Sequence, residues 1–203
     1  MAAIMDVVFS VVLGGMLLMI ILTANEIASD NHSVYNGDML VQEMLISTAQ
    51  LVEGEFRNMG FGVPEREQTV FYADTSRITF MSDLNRDGVI DSVTYAAGNP
   101  SELSSTPNEK DRYIHRIVNG GTPSQVGVVT MFNLSYMAAS GEVLPTPVPV
   151  DRLKEIHVVE VTMEVQNPYA PQSRVGGEGG DPNVLYSSSL WQQTRLASQN
   201  SRR

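Results

Sequence analysis

VVFSVVLGGMLLMIILTA, residues 7–24, is an apolar run of membrane grade in which only Ser10 and Thr23 are polar. Asp6 stands directly before it, and no Lys or Arg occurs before Arg57. A helix needs about 20 predominantly apolar residues to cross a bilayer core. Neither a basic segment nor a small-residue cleavage site precedes the folded part. That pattern predicts a retained anchor or assembly helix in place of a removed secretory signal.

Outward from this run, no proline occurs between Ala2 and Gly60. Residues 25–37 (NEIASDNHSVYNG) are poor helix formers, and Gly37 is the place where a helix would kink or break. Apolar residues then return at helical spacing: Met39/Leu40, Met44/Leu45, Leu51/Val52, Phe56 and Met59. Acids Asp38, Glu43, Glu53 and Glu55 lie between them. The expectation is one long helix, apolar all round over residues 1–28 and amphipathic over 29–62. Gly60, Gly62 and Pro64 end it. Such a helix is far longer than the remaining domain needs, so part of it must project.

After Pro64 the period changes to two. Ile78 and Phe80, then Val89, Val93 and Tyr95, then Val126 through Tyr136, then Val159 through Val165, each place apolar residues on one face. Residues 113–118 and 184–196 are weaker strand candidates. Turn-rich segments lie at 98–108, 119–124, 145–150 and 167–182. Strands joined without intervening helix period predict an antiparallel sheet. The fold class expected is therefore α+β, a long N-terminal helix packed on a C-terminal antiparallel β-sheet head at 63–203.

Composition excludes several functions. The chain has 203 residues and a formal net charge of −10. Only Lys110 and Lys154 are lysines, and no basic stripe exists for a nucleic-acid backbone. Cysteine is absent, which removes disulfides, thiol chemistry and Cys-zinc sites. His32, His115 and His157 are far apart and lack ligand-spaced partners. The glycines at 176, 177, 179 and 180 form no phosphate loop, because no Lys follows them. No catalytic constellation is present, and the chain reads as a non-enzyme.

One segment carries metal chemistry. In Asp83-Leu84-Asn85-Arg86-Asp87-Gly88-Val89-Ile90-Asp91, oxygen ligands fall at positions one, three and five, glycine at six and an acid at nine. That matches the opening of an EF-hand calcium loop. Asp83, Asn85 and Asp87 would line the inside of a curled loop, Val89 would offer its carbonyl, and Asp91 would close it. The twelfth position is Thr94 in place of Glu, and the flanks read as strands. The alternative is a plain β-hairpin with an Asp-Gly turn. Calcium here would stabilise the head, without doing chemistry.

The early acid, the apolar run, RNMGFG at 57–62, SRITFMSDLNRDGVIDSVTY at 76–95, VVTMFNLSYMAASGEVL at 128–144, EIHVVEVTMEV at 155–165 and WQQTRLASQN at 191–200 form an ordered series. In that order the chain resembles type IV pilin-like proteins, in particular the larger minor pilins and pseudopilins. The resemblance covers nearly the whole chain, and its specificity lies in the order of the pieces. It implies a subunit that waits in the inner membrane and then joins an extracellular filament or cell-surface fibre. Its partners would be copies of itself or other pilins, with an assembly ATPase and platform. It also implies that Asp6 meets the free N-terminal amine of a neighbouring subunit. Asp6 is the fifth residue counted from Ala2 and the sixth counted from Met1. The family's short basic leader is absent from this sequence, its usual Glu is Asp6, and Leu22 stands where it often has proline.

A carboxylate in an apolar helix costs about 2.5–3.5 kcal/mol at the bilayer centre and less near the edge. Asp6 is thus either paired in an assembly or placed in the headgroup region. Gly14 and Gly15 permit close helix packing, unwind on assembly as the family often does nearby, or are incidental small residues of a membrane helix. The leading expectation is a structural subunit of a type IV pilus-like filament. The alternatives are a pseudopilin of a secretion or uptake machine and a non-polymerising, single-pass anchored binding domain.

Overall fold

The computed structural model describes residues 2–64, 67–104, 106, 108–166 and 189–197. Helix α1 runs without interruption from Ala2 to Arg57, 56 residues. At 1.5 Å per residue it is about 84 Å long. The poor helix formers at 25–37 do not break it, and Gly37 lies within it. Propensity differences of a few tenths of a kcal/mol per residue are too small to stop a helix that is good on both sides.

The two ends of α1 meet different surroundings. From Ile4 to Leu22 every large apolar side chain is between 53 and 72 % exposed. From Val41 onward one stripe is buried, with Val41, Val52 and Phe56 each 0 % exposed and Leu45 at 7 %. The spacing of these residues keeps them on one face. Each fully buried side chain contributes about 1.5–3 kcal/mol. The ring of Phe56 meets Phe80 and Tyr95 edge-on, with centroids 5.6 and 5.3 Å apart. Gly60 and Gly62, at φ 76° and 79°, then turn the chain away from the helix.

The head holds two antiparallel sheets. β1 (Val70–Ala73), β2 (Arg77–Ser82), β3 (Asp91–Ala97), β4 (Arg112–Val118) and β5 (Ser124–Val129) form a five-stranded sheet in chain order. β6 (Met131–Ala138), β7 (Ile156–Gln166) and β8 (Ser189–Ala197) form a three-stranded one. The fold class is α+β, as the change of period at Pro64 predicts.

Two readings need correction. The alternation from Val126 to Tyr136 is two strands in two sheets. Between them lies Thr130, buried, which donates its amide to Glu164 O at 2.8 Å. The buried phase shifts at the break: in β5 it is Val129 that is buried, while Val126 and Val128 are half-buried, and in β6 Phe132, Leu134 and Tyr136 are buried. Val89 does not share the face of Val93 and Tyr95; it is 63 % exposed in the loop before β3, whereas they are fully buried. Of the C-terminal candidate at 184–196, residues 189–196 lie in a strand; residues 184–188 lie outside the described part, as do the turn-rich 167–182 and the glycine run within it.

The sheets are tied at their ends. Leu134 on β6 donates its amide to Thr75 O in the β1–β2 turn at 2.7 Å. The Tyr136 hydroxyl donates to Asp74 O at 2.8 Å.

Candidate assembly surface and candidate metal loop

The apolar half of the helix is unburied. Residues Ile4–Ser29 have a mean hydropathy of 2.6 and are long and apolar enough to cross a membrane. None of that segment is buried in the chain itself. Asp6 is exposed on it, and its backbone carbonyl accepts the Ser10 hydroxyl at 2.8 Å. A Cβ added at Gly14 or Gly15 would meet nothing within 4 Å. The two glycines therefore serve no close approach inside this chain. Ala2 lies in the first turn of the helix. Met1 lies outside the described residues.

Where α1 enters the head, its acids are gripped by the sheets. The Glu55 carboxylate accepts the Tyr95 hydroxyl at 2.7 Å and the Arg116 guanidinium at 2.7 and 3.0 Å. Burial, and then the neighbouring Glu55 charge, push the Tyr95 hydroxyl well above its ordinary value. The Glu55 hydrogen bond raises Arg116 as well. Two residues back, Glu53 accepts Thr194 Oγ1 at 2.8 Å and Gln192 Nε2 at 2.9 Å, both from β8. Each sheet thus holds one acid of the same helical turn, which fixes the helix against both. Sequence reasoning missed this anchor, because Arg116 and Tyr95 are distant in the chain and their meeting depends on strand register.

Gly127 on β5 allows a close approach of sheet to helix. A Cβ there would lie 2.4 Å from Thr48 Oγ1 and 2.7 Å from Thr48 Cγ2. Beside this contact lies a cleft of about 330 Å³ lined by Met44, Thr48, Tyr113, Val126 and Val128.

The acidic loop joins β2 to β3, which pair from Arg77↔Ala96 to Ser82↔Asp91. It is a hairpin connection, but one far longer than a two-residue Asp-Gly turn. It curls on its own acids. Asp83 Oδ1 accepts the Asp87 amide at 3.2 Å, and Oδ2 accepts the Gly88 amide at 3.0 Å. Asn85 Oδ1 accepts the Asp87 amide at 3.2 Å, and Asp87 Oδ1 accepts the Val89 amide at 2.7 Å. Gly88, at φ 85°, takes the left-handed turn that the motif asks of it. Asp91 spans the loop, accepting the Leu84 amide at 3.4 Å and the Asn119 side-chain amide at 2.7 Å.

Asp83 is 7 % exposed because the turn that follows α1 covers it. Its amide donates to Phe61 O at 2.8 Å, and a Cβ at Gly62 would lie 2.9 Å from its Cβ. The loop therefore reports directly on the helix terminus. Asn119, which clamps Asp91, is legible in the sequence only as part of an Asn-Gly-Gly turn. Among the described residues no group of three or more His, Asp or Glu is placed to hold a metal ion as it stands. Asp83, Asn85, Asp87 and Asp91 share the loop, and their oxygens already accept backbone or amide protons. The side chain of Val89 is exposed.

Two further groups stand out. Asp111 is 1 % exposed, and neither carboxylate oxygen has a hydrogen-bond partner among the described residues. Burial raises its carboxyl above the ordinary range, opposed by the nearby Thr106 hydroxyl. His115 Nε2 lies 2.7 Å from Glu102 Oε2. His32 is exposed and His157 half-buried on other elements. No family model, curated protein or solved structure matches this chain.

Proposed function

We propose that the chain is a structural subunit of a type IV pilus-like filament, assembling through the N-terminal half of α1. The observation that carries this reading is the division of one continuous helix. Its second half is packed into the head, while Ile4–Ser29 has no burial at all. Such a surface needs lipid before assembly and a bundle of like helices after it. Exchanging lipid for protein gives little hydrophobic gain, so shape and polar pairing must supply specificity in the bundle. Asp6 is the polar group available near the start of the span, and Gly14 and Gly15 leave room for a neighbouring backbone. The precursor would sit in the inner membrane, and the acidic heads would coat the fibre. The order of sequence pieces that resembles pilin-like proteins supports the same reading. Calcium in the 83–91 loop would be a stabiliser of the head, supported by the ligand spacing and by the loop's curl about Asp83.

The test is electron microscopy of material sheared from expressing cells, with mass spectrometry of any fibres. Fibres containing this chain, with an N-terminal peptide starting at Met1 or Ala2, are the expected result. The chain confined to the membrane fraction, without fibres, would overturn the filament reading in favour of a non-polymerising anchored domain.

A further inference from the structure

The connection from β3 to β4 buries polar groups. It begins with a short 3-10 helix, Pro100–Leu103, capped by the Asn99 and Glu102 side chains. Asn108 and Asp111 follow, both buried. Thr, Asn and Asp side chains bond to nearby backbone and so fold a turn without helix or strand. Asn108 Oδ1 accepts the Lys110 amide at 3.0 Å, and Asn108 O accepts the Asp111 amide at 3.1 Å. The Asn108 side chain also reaches the second sheet, donating to Gln166 Oε1 on β7 at 2.9 Å. The connection is therefore tied to β7 as well as to β4, which begins at Arg112.

Acceptors outnumber donors at this turn. The Thr106 hydroxyl lies 2.9 Å from Leu103 O, 3.4 Å from Asn108 O and beside the Asp111 carboxylate. A hydroxyl has one proton to donate. Three acceptors thus face a single donor. The two carbonyls also accept backbone amides, from Thr106 at 3.0 Å and from Asp111 at 3.1 Å. The carboxylate has no such relief, since both of its oxygens are shut off from solvent and without a partner among the described residues. The neighbouring bases do not supply one. Lys110 is exposed, and Arg112 directs its Nε to Lys110 O at 3.4 Å.

An ionised carboxylate buried without a partner is costly. What the turn lacks is positive charge at a point ringed by oxygen. Surroundings of carboxylate, carbonyl and hydroxyl oxygen alone suit a hard cation. Sodium and calcium have nearly the same radius, so charge decides between them. The carboxylate supplies one negative charge and the other three oxygens none. A monovalent ion leaves the buried group neutral, whereas a divalent ion leaves a buried positive charge without a counter-ion.

We propose that the Asp111 carboxylate, the Thr106 hydroxyl and the carbonyls of Leu103 and Asn108 form a sodium site. Backbone carbonyls at the ends of broken helices hold sodium in the same way. The site stands apart from the 83–91 loop, because the two lie at opposite ends of β3. It is also independent of the filament reading. A bound ion would join the end of the 3-10 helix to the start of β4 and, through Asn108, to β7.

The test is thermal unfolding of the full-length protein in an uncharged detergent, with a calcium chelator throughout. Melting should be higher in sodium chloride than in tetramethylammonium chloride at equal concentration. The two salts screen surface charge equally, but the larger cation cannot enter a buried site. The rise should be about 3–5 °C for each tenfold increase in sodium above the dissociation constant. Asp111→Asn keeps the side chain's shape, removes its charge and should abolish the sodium-specific rise. Thr106→Val removes one neutral oxygen and should reduce the rise, which keeps the site testable if Asp111→Asn does not fold. Equal melting in the two salts would overturn the site. A sodium-specific rise that survives both substitutions would place the ion elsewhere and overturn it too. A rise given by calcium in Asp87→Ala protein without chelator, and lost on adding Asp111→Asn, would overturn the choice of a monovalent ion.

Discussion

The Glu55 carboxylate on α1 lies 2.7 Å from the Arg116 guanidinium on β4, and the Tyr95 hydroxyl from β3 completes the cluster. Both ionic side chains are largely buried, at 15 and 22 % exposure. Removing one partner leaves the other charge desolvated. Glu55→Ala should therefore cost about 2–4 kcal/mol, below the full figure for a sealed pair because water reaches both groups. Denaturant unfolding of the full chain in detergent measures it. A loss no larger than that of an exposed helix substitution would mean the pair does not anchor the helix.

Gly127 and Thr48 form a second lock, made of shape alone. Gly127→Ala should destabilise by about 1–3 kcal/mol, because its methyl overlaps the Thr48 side chain. Thr48→Ala in the same protein should recover most of that loss. A double-mutant cycle reads the coupling directly. Additive effects would show that the sheet and helix are not in contact at this point.

Burial makes ionisation of Asp111 unfavourable in the folded chain. Its folded value is raised above its ordinary one, so the unfolded chain ionises first as pH rises. The folded state loses relative stability from about pH 4 upward, until the raised value is passed. Asp111→Asn should raise the melting temperature at about pH 7 and leave it nearly unchanged at about pH 3. An equal change at both pH values would assign the effect to packing.

The 83–91 loop predicts a conditional effect. If it takes calcium, Asp87→Ala should lower the melting temperature only in the presence of the ion. Identical curves for both proteins, with and without calcium, would make the loop a hydrogen-bonded hairpin and nothing more.

Asp6 is a prediction about assembly alone. Asp6→Ala should leave membrane insertion intact and cut fibre yield, because the substitution removes a pairing group without reducing apolar length. Normal fibres from this variant would place Asp6 in the headgroup layer.

The sequence by itself determined the parts of this protein that depend on local periodicity. The apolar run at 7–24, the helical spacing from Met39 to Phe56 and the alternation after Pro64 give a long helix followed by strands. The curl of the acidic loop was also legible, since Asp83, Asn85, Asp87 and Gly88 interact within a few residues of one another. Only the tertiary structure decided what depends on distant segments meeting. Strand alternation ran unbroken past Thr130, so the division into two sheets was invisible until the Thr130–Glu164 hydrogen bond broke the line. The grip of Arg116 and Tyr95 on Glu55 and the burial of Asp111 were likewise set by register. A period states which face a residue is on. The packing of one element against another decides what that face meets.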